Sequence, residues 1–147
     1  MPDAEPVAVC KAIATSLAGG SFSQSVDVNR SYVPAYDIED LQSTAQVTVL
    51  NNGYRRNVLT RNKSHVVISI LARVMVEKSV TKTDVTEIDA MVLLTEEIRD
   101  HLEDNEFDGA HFAPEEETPD ILDIYDPEAL QQDGIFRAQI DILLRKA

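Results

Sequence analysis

The chain reads as an α+β domain: a mainly antiparallel sheet of about four strands, packed by two main helices and carrying extended arms. Three observations point there. Runs near residues 22–28, 45–50, 64–76 and 135–144 alternate side-chain character with a period of two. Runs at 7–18 and 84–104 repeat apolar residues at helical spacing. The order helix, strand, arm, strand, strand, helix, arm, strand lacks the repeated β-α-β alternation of a parallel sheet. A length of 147 residues, 44% of them apolar, suits one domain with a substantial core.

The first helix is expected over Val7–Ala18. Pro6 fits its first turn, where a missing N–H costs nothing. Val9, Cys10, Ile13 and Leu17 form one stripe, and Gly19-Gly20 ends it by accepting left-handed geometry. Phe22–Val28 follows as a strand. Arg30–Leu41 is read as an extended arm, because Pro34 pushes Val33 out of helical geometry. Ala45–Leu50 is a strand with Ala45, Val47 and Val49 on one face, and Asn51-Asn52-Gly53 is a turn signal. Ser64–Val76 carries the strongest strand pattern. Apolar groups on both of its faces suggest a central strand, or one whose outer face meets a partner.

Asp84 is the expected N-cap of the second helix, with Glu87 in capping-box position. Ile88, Met91, Thr95, Ile98 and Leu102 mark its buried stripe, widened by Val85, Val92 and Leu94, and the helix fades near Asp104-Asn105. Asn105–Pro119 is read as a loop. A second arm, at about 121–133, contains Ile124-Tyr125-Asp126-Pro127. Ile135–Leu144 closes the chain as a strand with Phe136, Ala138, Ile140, Ile142 and Leu144 on one face.

Charge is placed very unevenly. Residues 1–63 hold six acids and six bases, whereas 84–133 hold eighteen acids and one base, Arg99, for a sum of −17. That block more than accounts for the net charge of −13. It repels phosphate and attracts basic partners. Four Phe, four Tyr and no Trp leave little material for stacking nucleic-acid bases. Cys10 is the only cysteine, which fits a reducing compartment, and no run is long and apolar enough for a membrane span. The acidic, polar start Pro2-Asp3-Ala4-Glu5-Pro6 does not read as a charged-then-apolar leader.

Reactive constellations are not evident. His65, His101 and His111 are scattered; the turn-spaced pairs His101/Asp104 and Asp100/Asp104 read as solvated surface groups. Nucleotide-loop and nucleophile-elbow patterns are missing, and Cys10 reads as a small core residue. The clusters Asp37/Glu39/Asp40 and Asp123/Asp126/Glu128 lack EF-hand spacing. The expectation is a protein without catalytic residues, cofactor or metal. The basic group Arg55, Arg56, Arg61 and Lys63 could meet phosphates, could be a solvated hairpin tip, or could set one copy against the acidic flank of the next.

The segment Arg30-Ser31-Tyr32-Val33-Pro34-Ala35-Tyr36-Asp37-Ile38-Glu39-Asp40-Leu41 resembles one found in small tail proteins of tailed bacteriophages and prophages. There it precedes a strand like Val47-Thr48-Val49 and a Gly- and Arg-rich loop like Gly53–Arg61. A long strand, a helix containing Glu96-Glu97-Ile98, and a late arm like Asp123-Ile124-Tyr125-Asp126-Pro127-Glu128-Ala129-Leu130 complete the pattern. The resemblance covers roughly residues 22 to 144 and is closest to the tail-terminator family.

It implies an α+β virion protein at the head–tail junction, made in the host cytoplasm. Such a protein forms a hexameric ring on the tail tube protein, ends tube growth and presents a surface to neck or connector proteins. DNA passes through without specific binding, and no membrane is involved. The residues expected at subunit or partner contacts are Tyr32, Pro34, Tyr36, Asp37, Asp40, Arg55, Arg56, Arg61, Lys63, Tyr125, Asp126 and Pro127. The acidic helix, or the run Glu115, Glu116 and Glu117, would face the lumen. Alternatives are a neck or head-completion protein of the same junction, an acidic module that occludes a basic partner, and, remotely, a metal-dependent enzyme.

Overall fold

A computed structural model describes residues 4–32, 44–58, 66–81, 83–112, 120–123 and 126–146. The fold is α+β. Its elements are α1 (Glu5–Ala18), β1 (Val26–Arg30), β2 (Ala45–Val58), β3 (Val66–Ser79), α2 (Val85–Asp104), β4 (His111–Phe112), β5 (Asp120–Asp123), α3 (Pro127–Asp133) and β6 (Ile135–Lys146). The four main strands lie in the order β1-β2-β3-β6, and the short β4 and β5 both pair with the far side of β6. Only β1 and β2 run parallel; every other pair is antiparallel.

The inner face of the sheet carries Ala45, Val47 and Val49 of β2, Ile70, Ala72, Val74 and Val76 of β3, and Phe136, Ala138, Ile140, Ile142 and Leu144 of β6, all buried. Over it pack Val9, Cys10, Ile13 and Leu17 of α1 and Met91, Leu94, Ile98 and Leu102 of α2 in one cluster. The two helical stripes read from the sequence are therefore the roof of the core. Val85 is the exception: it stands 68% exposed in the first turn of α2, beyond the reach of the sheet. Asp84 caps that helix by accepting from the Glu87 N–H at 3.2 Å. The Glu87 carboxylate reaches the Thr81 N–H, at 3.5 Å, because the Asp84 N–H is already held by the Thr81 carbonyl.

Several expected boundaries move, each for a local reason. Gly19 ends α1 in right-handed geometry, φ −88°. At Gly20 a Cβ would come within 2.8 Å of the Phe22 ring, so close approach is what favours glycine there. The strand expected from Phe22 begins at Val26. Residues 22–24 face α2 instead: Phe22 meets the His101 ring, Ser23 donates to Glu97, and Gln24 donates to the Ala90 carbonyl.

Asn51-Asn52-Gly53 is not a turn. It lies inside β2 as a bulge, where the pairing register shifts. The Gly53 N–H folds back onto Asn51 Oδ1 at 3.3 Å, and a Cβ on Gly53 would crowd Leu71 at 3.1 Å. The extra residue switches the faces of the strand. Asn51 shares the inner-face register with Ala72, and after the bulge Tyr54 takes the inner register opposite Ile70 while Arg55 takes the outer one opposite Ser69.

The acidic half is more structured than a loop and an arm. Phe107 and Ala110 bond each other across Asp108-Gly109, both at positive φ, and β4 follows. The second arm is replaced by β5 and α3. Asp126 caps α3, Pro127 occupies its first turn, and Gly134 ends it at φ 64°. Gly134 also closes against β3, receiving the Val80 N–H on its carbonyl at 2.8 Å.

Candidate functional site

The outer face of the sheet is built in cross-strand rows. Asp27, Gln46, Glu77 and Arg137 form one; Asn29, Thr48, Met75 and Gln139 the next; then Leu50, Arg73 and Asp141; then Gly53, Leu71 and Leu143; and last Arg55, Ser69 and Arg145. Two ion pairs bind β3 to β6 here. Arg73 makes two bonds to Asp141, at 2.8 and 3.2 Å. Arg137 donates to Glu77 Oε2 at 2.9 Å, and the Glu77 side chain is 1% exposed, with its other oxygen Oε1 buried and unpartnered. Leu50 and Met75 are buried outside the main core, and Leu71 is 37% exposed.

Four basic residues fall at the end of the sheet where β2 stops and β3 starts, by backbone register. Arg55 and Arg145 share a row on the outer face; Arg56, Ile68 and Lys146 share the adjacent row on the inner face. Lys146 Nζ lies 3.3 Å from Asp108. Arg55 and Arg56, expected in a turn or loop, are thus strand residues. Arg61 and Lys63 lie outside the described residues.

The acidic counterpart is the outer side of α2. Asp89, Leu93, Glu96, Asp100 and Glu103 are exposed and recur every three or four residues, so they form one stripe. Arg99 braces its lower half, 3.4 Å from Asp100 and 3.3 Å from Glu103. Leu93 is 49% exposed in the middle of the acids.

Among the other expected contact residues, Tyr32 is 66% exposed just past β1, with the Arg30 guanidinium 5.5 Å from its ring centre. Asp126 spends its carboxylate internally, accepting from the Glu128 and Ala129 N–H groups at 3.0 and 3.2 Å. Its own N–H donates to the Arg137 carbonyl, and Pro127 is locked in the first turn of α3. These two residues shape the fold and are not the free tip of an arm. Pro34, Tyr36, Asp37, Asp40, Tyr125, Glu115, Glu116 and Glu117 lie outside the described residues.

One polar cluster went unread in the sequence. Ser16 Oγ of α1 lies 2.8 Å from His101 Nε2 of α2, and Phe22 meets the same ring edge-on at 5.6 Å. Beside it, residues Gly20–Val26 and Ala18 line an open cleft of about 440 Å³. Burial pushes the His101 pKa below its ordinary value, and Asp104 partly opposes that. The pair is a tether between helices. Ser16 sits within α1, and the N–H groups that follow it are spent on helical carbonyls, Gly19 on Thr15 and Gly20 on Leu17. They cannot form an oxyanion hole. Burial likewise pushes the Cys10 thiol up, which makes it a poor nucleophile.

No group of three or more His, Cys, Asp or Glu among the described residues could hold a metal ion, and no helix there is long and apolar enough to cross a membrane. A scan against protein-family models and a search of curated proteins found no match to this chain.

Proposed function

We propose that this chain is a structural virion protein of a tailed phage: a ring-forming tail terminator that caps the tail tube, ends its growth and presents a surface to the head connector. The observation that carries the reading is the segregation of unlike charge along the chain, six acids balanced by six bases over residues 1–63 against eighteen acids and one base over 84–133, part of which lines the exposed outer stripe of α2. Unlike, complementary surfaces make head-to-tail contacts, and these close into rings when the rotation allows. The succession of β2, the long β3, the long helix α2 and the closing β6 is compatible with the tail-protein resemblance, while the expected Gly- and Arg-rich loop begins as strand and the late arm is β5 and α3. Lumen acids, drawn in this reading from Glu115–Glu117, would let DNA slide past by repelling phosphate.

The experiment is to add the purified protein to growing tubes of a phage tail tube protein from the same source and image them by negative-stain electron microscopy. The expected result is a ring at one tube end and a fixed tube length. Unchanged tube growth with no density at either end overturns the proposal.

A further inference from the structure

We infer that β1 is a docking edge for a second copy of this chain, the two β1 strands pairing antiparallel about a two-fold axis at Val28. β1 ends the sheet, and among the described residues only β2 pairs with it. One contact fixes which way each residue bonds. The Ser31 N–H donates to the Val49 carbonyl of β2 at 3.0 Å. Backbone groups alternate along a strand, so Asp27 and Asn29 also bond toward β2, and the N–H and C=O groups of Val26, Val28 and Arg30 point to the opposite edge. No proline interrupts Val26–Arg30, and its pairing with β2 shows no bulge, so two common devices that blunt an edge strand are missing.

Three observations make a second copy the occupant. First, the strand is self-complementary. Centred on Val28, the pairing sets Val26 against Arg30 of the second copy, Asp27 against Asn29, and Val28 against itself, so no like charges stand opposite each other. Moving the axis to Asp27 would oppose two carboxylates. Val26, Val28 and Arg30 then form hydrogen-bonded pairs, about six bonds in all. Second, the core is unfinished at this edge. Val26 and Val28 pack against the buried cluster but are only partly buried, so a second β1 beside them removes apolar surface from water. Third, charge permits the approach. Residues 1–63 sum to zero, whereas copies meeting through α2 would set one acidic stripe against another. The contact goes beyond the ring reading: it is isologous, it joins chains in twos, and it does not use α2.

The test is cysteine cross-linking of the full chain in a Cys10→Ser background, with light scattering across concentration. Position 27 of one copy and position 29 of the other form a non-hydrogen-bonded pair, whose Cα atoms stand about 4.5 Å apart, within disulfide reach. An equimolar mixture of Asp27→Cys and Asn29→Cys chains should oxidise to a covalent dimer, on the order of tenfold more than either variant alone, where the two sulfurs lie diagonally. Val28→Pro removes a donor that points away from β2, so it should leave the chain folded and weaken self-association by about tenfold or more. Val28→Thr keeps the N–H and the side-chain shape and should associate like the wild type. Circular dichroism and urea unfolding establish that each variant folds. A wild type that is monomeric at every concentration overturns the contact, as does a mixture that links no better than its components. So does a folded Val28→Pro chain that associates as well as Val28→Thr. If any of these occurs while the wild type still caps tubes, the ring reading stands and only this edge falls; a linked dimer that leaves tubes uncapped reverses that outcome.

Discussion

On the inner face of β2, β3 and β6 the buried side chains are apolar, from Ala45 to Leu144, and two helices close over them. On the outer face of the same strands, alternate positions carry Gln46, Thr48, Arg73, Glu77, Arg137 and Asp141, with Arg73 bound to Asp141 and Arg137 to Glu77 across the strands. The first face is non-directional: any group of suitable volume contributes by leaving water. The second is directional, because each charge depends on a particular neighbour. One sheet therefore separates two tasks. The inner face supplies stability, and the outer face fixes register and leaves Leu71 partly exposed.

Core truncation tests the inner face most severely. Phe136 is fully buried in the roofed cluster, so Phe136→Ala should cost about 3–5 kcal/mol in urea unfolding. Met75 is 7% exposed on the outer face, outside that cluster, and long neighbours can fold over its space. Met75→Ala should cost about 2 kcal/mol, the low end for such a deletion. Equal losses at the two sites would break the contrast between the faces.

The Glu77–Arg137 pair tests the outer face. Removing Arg137 leaves a carboxylate that is 1% exposed with neither oxygen partnered. Arg137 itself is 37% exposed, so the loss from Arg137→Ala falls below that of a fully buried pair, at about 2–3 kcal/mol. Replacing both residues by Met removes the stranded charge and should leave stability within about 1 kcal/mol of the wild type. If the double variant is as unstable as the single one, the outer face contributes net stability and not only register. Arg73→Ala, in the more exposed pair with Asp141, should cost about 1 kcal/mol, and less in high salt.

How far the sequence could be read follows the same division. The inner face was legible because its periods are carried by single residues: Ile70, Ala72, Val74 and Val76 on a strand, Met91, Ile98 and Leu102 on a helix. The outer face was not, because Arg73 and Asp141 are 68 residues apart and meet only through a register that no local pattern encodes. Asn51-Asn52-Gly53 carries turn chemistry, yet strand pairing on β3 holds it extended and the surplus residue becomes a bulge. The tight turn falls instead at Asp108-Gly109, where the Asp-Gly pair was a usable signal that went unread. Asp126-Pro127 was likewise a cap followed by a first-turn proline, with Gly134 as the stop. Of the expected contact residues, Arg55 and Arg56 lie in the last stretch of β2, Tyr32 is exposed just past β1, and the Asp126 carboxylate caps α3.

The weakest expected effect sharpens the comparison, because a polar contact also stands over the apolar face. His101 ties α2 to α1 through Ser16, with Phe22 against its ring and Asp104, the charge that most favours its protonation, on its own helix. Burial disfavours the imidazolium, so the folded pKa lies below the ordinary 6.5 of the unfolded chain. Above 6.5 both states are neutral and the full stability is present. As pH falls through 6.5 the unfolded chain takes up the proton first, so stability declines, and the decline stops once pH passes below the folded value. Urea midpoints followed between about pH 5.5 and 7.5 should therefore drop toward acid. His101→Gln keeps a polar partner for Ser16 and has no proton to gain, so its midpoint should lose that part of the slope. An identical slope in the variant would assign the acid sensitivity to the carboxylates of α2, and the roof of the core would then be held by burial alone.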